Sequence, residues 1–454
     1  MIVLGRHRPL VHDAWSESAV RAAIEEIAAD AIAQFDPDRF WPAHPSEEGG
    51  ADGDPSFYKG AAGVIWALDY LHRVGATRIA EDFRPALPKL LERTIADFET
   101  NSPADYEKHG SLLRGDMGAA LLAMRLAPTS SLADLVHRRA EANIGLPIRE
   151  LMWGMPGSMV AAIHMAEMTR EARWRGLFEM QAARLLADLE DTPQGPLWTQ
   201  DLYGDRDRWL GPVHGFAGNV IPLLRGWNWL TPPQQAQVAE LVPKTLAANA
   251  WRSEVGTTWG ARSKRATPPR MCQHCHGAPG MVTTFADAPF ASPELDALLL
   301  DAGRFSWAAG PLTKGSNLCH GTGGNGYAFL KLYRRTTRSG SAAHANSPRR
   351  PSSSIAALSS SLAADGIPFG PATSASPFTF GTALQGSLVS RRSTCSEADT
   401  TPARREGVVD CASSAPVGMS QICHEQSSKT GGQAPTTSRL HQRRSGFCPA
   451  MHLE

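Results

Sequence analysis

Several things that would announce a role are missing from this chain. No charge of either sign is in excess, since 45 Lys and Arg balance 45 Asp and Glu over 454 residues. A neutral balance gives no global field to draw in DNA, RNA or an anionic membrane, which leaves only a local patch to do so, and neither nucleic acid nor a membrane is expected as a partner. Long apolar runs are absent too. The opening Met1-Ile-Val-Leu-Gly-Arg is too short for a signal peptide, and the stretch from Ala119 to Ala127 is broken by Arg125. Both fall far short of the roughly 20 apolar residues that span a bilayer. Cysteine is sparse and odd in number, at seven, which argues against a disulfide scaffold and for a cytoplasmic protein. All 12 Trp lie between Trp15 and Trp307 and all 6 Tyr between Tyr58 and Tyr333. The overall 42% apolar content excludes wholesale disorder, but it averages two unlike kinds of sequence.

Alternation of apolar and polar residues, the mark of strands, is lacking as well. Helical period replaces it. From Ser18, the residues Val20, Ala23, Ile24, Ile27 and Ala31 recur at three- and four-residue steps, with Ser16 or Ser18 placed to cap. Similar stretches run over Gly63 to Leu71, Pro85 to Phe98, Ser158 to Met168, Ala172 to Leu189 and Pro233 to Leu246. The chain reads as all-α.

Between these stretches one short pattern returns: Gly, two residues, Gly, then an apolar helical run. It occurs with first glycines at Gly60, Gly115, Gly154, Gly215, Gly277 and Gly321. The intervals suit one helical hairpin each, and six such units mark an internal repeat that either stacks as a solenoid or closes into a ring. Glycine at these points lets the chain turn sharply and lets helix N-termini pack closely. Beyond about Arg335 the pattern stops. Runs such as Pro351-Ser-Ser-Ser-Ile and Leu358-Ser-Ser-Ser-Leu take over, and Cys395, Cys411, Cys423 and Cys448 show no ligand spacing. Residues 1–335 are therefore expected to form the folded domain. Residues 336–454 read either as a disordered Ser-rich tail or as the product of a shifted reading frame, which the abruptness of the change favours.

The chemistry-bearing residues cluster in Cys272-Gln-His274-Cys275-His276-Gly277 and Cys319-His320-Gly321. Zinc takes thiolate and imidazole ligands, three in a catalytic site with one open position and four in a closed structural site. Cys275, Cys319 and His320 make the first kind of set; adding Cys272 makes the second. Ordinary buried cysteines are the remaining possibility on spacing alone.

The segments Cys275-His-Gly-Ala-Pro-Gly280, Lys314-Gly-Ser-Asn-Leu-Cys-His-Gly-Thr-Gly-Gly-Asn-Gly-Tyr-Ala-Phe-Leu330, His214-Gly-Phe-Ala-Gly218 and Glu150-Leu-Met-Trp-Gly-Met-Pro-Gly157 resemble the lanthionine synthetase C-like family, in its stand-alone branch, over about Phe57 to Tyr333. The resemblance implies an α/α toroid of seven helical hairpins, six of them recognisable here, with zinc held by Cys275, Cys319 and His320 and Cys272 a neighbour. It implies an enzyme that activates a thiol, from a peptide cysteine or glutathione, for addition to dehydroalanine or dehydrobutyrine in a peptide or protein. A cation stabilises thiolate over thiol, the thiolate attacks the β-carbon, and the enolate is protonated at its α-carbon. By the same resemblance His214 assists that protonation, Glu150 takes the place of the active-site acidic residue (Asp in the cyclases), and Lys314 matches a basic residue near glutathione. His276 either faces the site as a substrate-binding residue or caps a helix. Two other readings stand beside this one: a zinc-stabilised scaffold without turnover, and a glycosidase of the toroid type, which would need a second carboxylate that Glu150 lacks in the sequence.

Overall fold

The computed structural model describes residues 1–10, 16–42, 53–101, 110–202, 204–263 and 266–346. Among them are twelve α-helices: α1 (Glu17–Ala33), α2 (Ala61–Arg73), α3 (Leu87–Asn101), α4 (Asp116–Leu126), α5 (Ser130–Ala142), α6 (Met155–Thr169), α7 (Ala172–Ala187), α8 (Phe216–Arg225), α9 (Pro232–Asn249), α10 (Ala278–Phe285), α11 (Pro293–Ala309) and α12 (Thr322–Asn346). Ser16 caps α1, its Oγ accepting from the Ala19 N–H at 3.2 Å. The Ser-rich stretch from 347 onward lies outside the described residues, and α12 runs across the expected boundary at 335.

The even-numbered helices from α2 to α12 pack each on the next, α2 on α4, α4 on α6, α6 on α8, α8 on α10 and α10 on α12. The odd-numbered helices pack outside them, as α3 does on α4, α5 and α7 on α6, and α11 on α10. This is an α/α toroid with an inner ring and an outer layer. The division follows from the residues. In α6, Met155 through Ile163 are buried without a break, and so are Phe216 through Leu224 of α8 and all of α10; helices apolar all round belong inside. In α7, burial is confined to Trp174, Leu177, Phe178, Gln181, Ala182, Leu185 and Leu186, one stripe at helical period. In α12, burial, then the charges of Tyr70 of α2 and of Asp287, push the Tyr327 phenol up to about 12.

Each Gly-x-x-Gly opens an inner helix, and close approach explains the second glycine. A Cβ on Gly118, Gly157, Gly218, Gly280 or Gly324 would collide with the carbonyl oxygen of Leu112, Leu151, Pro212, His274 or Leu318, in every case the residue six positions earlier. The loop thus folds back on the first turn of its own helix, which only a bare Cα permits. Gly157→Ala, which would also meet the Leu112 side chain, is expected to cost about 2 kcal/mol by overpacking. Gly176→Ala on the outer face of α7, where a Cβ meets nothing within 4 Å, is expected to gain roughly 0.5–1 kcal/mol. Urea denaturation of the two variants checks both signs.

Strands, unexpected from the sequence, do occur, among the described residues as two antiparallel ribbons of three-residue strands: β1 (Gln200–Leu202) with β2 (Asp205–Asp207), and β3 (Trp251–Ser253) with β4 (Gly256–Thr258). They are too short to show alternation. No helix among the described residues is long and apolar enough to cross a membrane.

Candidate metal centre and proton-transfer pair

The six loops that precede the inner helices lie side by side at one end of the toroid. Their equivalent residues, two positions before the first glycine, are Tyr58, Leu113, Met152, Val213, Cys275 and Cys319. Backbone hydrogen bonds join loop to loop at this level: Tyr58 N–H to Leu113 O at 2.8 Å, Leu113 N–H to Met152 O at 3.4 Å, Leu151 N–H to Val213 O at 3.0 Å and Cys275 N–H to Cys319 O at 3.1 Å. Between the fourth and fifth loops Gly211 packs so tightly on the Cys275 carbonyl that a side chain would not fit. The seam between the sixth loop and the first is bridged by a side chain, the Tyr58 hydroxyl donating to Cys319 Sγ at 3.1 Å.

Cys275, Cys319 and His320 meet in this ring, each offering one donor atom, with all three atoms within 4.8 Å of one another. Cys272 is outside this group. It is buried, and burial pushes its thiol up to about 12. The other two thiols differ: the hydrogen bond from Cys275 holds Cys319 well below the usual thiol range, with His320 helping. Cys275 goes the opposite way, raised first by burial and then by Cys319. Two thiolates and an imidazole are the soft donor set that suits zinc, so the residues present fit the metal.

His214 and Glu150 form a second unit. His214 Nδ1 lies 2.8 Å from Glu150 Oε2. Glu150 has 0% exposure; its carboxylate also accepts from the Met152 N–H at 3.1 Å and from the Trp153 N–H. Two backbone N–H groups donating to the carboxyl suit it to accept from an Nδ1–H of His214, the tautomer that leaves Nε2 facing away from Glu150. Gln200 of β1 donates to the His214 carbonyl. On the ring side Trp209 lies 6.4 Å from His214, centroid to centroid. Trp209 is itself covered by the Arg262 guanidinium at 4.2 Å, which pairs with Asp207 at 2.6 Å.

His276 sits between the two units. Burial, then the charges of His214 and His320, lower its imidazole to about 3, which makes it a neutral group. Its Nδ1 is buried without a hydrogen-bond partner among the described residues, and α10 has Gly277 as its N-cap, without a side-chain cap. Lys314 is half-buried, and its charge is felt at both Cys275 and His276. The seven residues that the resemblance assigns to the site therefore lie around one ring of loops. Sequence reasoning missed Tyr58, Gln273, Gln200 and Trp209. Tyr58 carried a usable signal, since it stands at the same repeat position as Cys275 and Cys319.

Among known proteins, residues 51–349 match the family model described as lanthionine synthetase C-like protein. A stretch of 64 residues is 41% identical to glutathione S-transferase LANCL1 of Danio rerio, spanning 14% of this chain and 16% of that protein. The aligned part is thus well short of two thirds of the relative. Of solved structures, nisin cyclase superposes at 13% identity with a TM-score of 0.46, covering 73% of this chain and 87% of its own. The unsaturated glucuronyl hydrolase of Bacillus sp. GL1 superposes at 13% identity and a TM-score of 0.39, covering 69% and 96%.

Proposed function

This chain belongs to the lanthionine synthetase C-like family, and from that premise we propose that it is a zinc-dependent enzyme adding a thiol to a dehydroalanine or dehydrobutyrine residue of a peptide or protein. The observation that carries the proposal is the meeting of Cys275, Cys319 and His320, with donor atoms within 4.8 Å of one another, on the same ring of loops as the His214–Glu150 pair. The three side chains would hold the metal, leaving room for one further ligand. Bound there, zinc supplies a positive centre that favours the deprotonated form of an incoming thiol.

The chain's own residues account for the rest. In the reaction the sulfur forms a bond to the β-carbon, the carbon–carbon double bond gives its electron pair to the α-carbon as an enolate, and one proton must arrive there. His214 Nε2 is the atom to deliver it, because Glu150 holds Nδ1 and stabilises the imidazolium that carries the proton. The net change is addition of S–H across the double bond, with nothing oxidised or reduced. Lys314, with its charge felt at Cys275, suits a thiol donor bearing carboxylates, such as glutathione; a cysteine of the same peptide is the alternative donor. The neutral His276 offers a buried Nδ1 for a hydrogen bond to the bound peptide.

Zinc-loaded protein incubated with glutathione and a dehydrobutyrine-containing peptide is expected to yield a peptide heavier by one glutathione in the mass spectrum. Tight zinc binding without any adduct, with glutathione or with a cysteine in the same peptide, would contradict the enzyme and leave a zinc-stabilised scaffold.

A further inference from the structure

Two side chains end directly on the sulfurs of the candidate metal centre. Tyr58 donates its hydroxyl to Cys319 Sγ at 3.1 Å, and Gln273 donates its side-chain N–H to Cys275 Sγ at 3.0 Å. They reach the site from different loops, the first and the fifth. Each is anchored by its own backbone, Tyr58 N–H on Leu113 O at 2.8 Å and Gln273 N–H on His276 O at 3.1 Å. Gln273 is only 3% exposed. Each of the two sulfurs thus has a donor of its own, delivered from a fixed backbone.

We infer that Tyr58 and Gln273 are positioning residues that withdraw charge from the two ligand sulfurs, one hydrogen bond to each, and so keep the bound metal electrophilic towards an incoming thiol. The inference rests on the metal-centre reading above. Two thiolates neutralise a divalent cation and weaken its pull on a third sulfur. A hydrogen bond to a thiolate draws back part of the density it gives the metal, and outer partners of this kind commonly tune a metal site. A hydroxyl and an amide do this without adding net charge, whereas a Lys or Arg in either place would add one. Both donors also fix where the sulfur lone pairs point, across the seam between the sixth and first loops in the case of Tyr58.

Cobalt(II) reports on this directly, because its thiolate-to-metal charge-transfer absorption tracks the energy of the sulfur lone pairs. The full chain, stripped of metal and reloaded with Co2+, is compared as wild type, Tyr58→Phe, Gln273→Leu and the double variant. The expected result is a band displaced to longer wavelength in each single variant and further in the double variant, with circular dichroism unchanged. Bands that superpose on the wild type in folded single variants overturn the inference and leave the metal centre standing. A wild type with no thiolate band at all overturns the metal-centre reading itself, and this inference with it. Should Tyr58→Phe fail to fold, Gln273→Leu decides by the same criterion.

Discussion

Cys319→Ala protein is expected to purify folded but without stoichiometric zinc, and to form no thioether adduct. Cys319 is the junction of the site: its sulfur groups with Cys275 and His320 within 4.8 Å, takes the Tyr58 hydrogen bond, and its carbonyl holds the Cys275 N–H at 3.1 Å. The carbonyl survives the substitution, so the loop contact survives too. The side chain is small and lies at 4% exposure, and its loss leaves a modest cavity, worth on the order of 1 kcal/mol. The metal loses far more. Outer partners of metal ligands are each worth about 10–100-fold in affinity, and a direct thiolate ligand exceeds them, so affinity should fall by more than about 100-fold. Competition with a chromophoric chelator measures it. Cys272→Ala is the companion measurement. With Cys272 outside the donor group, its removal should leave zinc affinity within about threefold, on the scale of a residue that is not even an outer partner. A loss as large as that of Cys319→Ala would mean a closed four-ligand site.

His214→Asn should separate metal from chemistry. Zinc content is expected to stay at one per chain, while adduct formation falls by about 10²–10⁴-fold, the usual worth of a positioned acid or base. The geometry gives the reason: Nδ1 is committed to Glu150 at 2.8 Å, and the carboxylate is buried with two backbone N–H groups as its other partners. Asn keeps a donor for Glu150 but has no group that can carry a proton between pH 5 and 8. The loss should fall on kcat rather than on KM, because the proton is needed only after the new sulfur–carbon bond forms. Equal loss of zinc and activity would instead make His214 a structural support of the metal site.

Much of this arrangement was legible in the sequence for a physical reason. The glycine repeat is visible because the loop carbonyl six residues back occupies the space of a side chain at Gly118, Gly157, Gly218, Gly280 and Gly324; no other residue fits, so the pattern recurs. The inner helices α6, α8 and α10 are visible because burial along most of their length leaves them almost free of charge. The donor set is visible because Cys275 and Cys319 sit at matching positions of the fifth and sixth repeats, with His320 next to Cys319. Less was legible about partners. Glu150 and His214 are 64 residues apart, and nothing local in either segment points to the other. Gln273, between Cys272 and Cys275, has no signal of its own in the sequence, yet its amide reaches the second cysteine. The choice between a helix cap and a site residue for His276 depended on the direction of one imidazole, which sequence does not encode.

X-ray absorption at the zinc edge of the purified chain tests the central claim most directly, since it counts ligand atoms by type. The account predicts one zinc per chain with two sulfurs at about 2.3 Å and the remaining ligands nitrogen or oxygen at about 2.0–2.1 Å. Addition of a small thiol should raise the sulfur count to three. A sulfur count of three before any thiol is added, or a chain that binds no zinc, would contradict it.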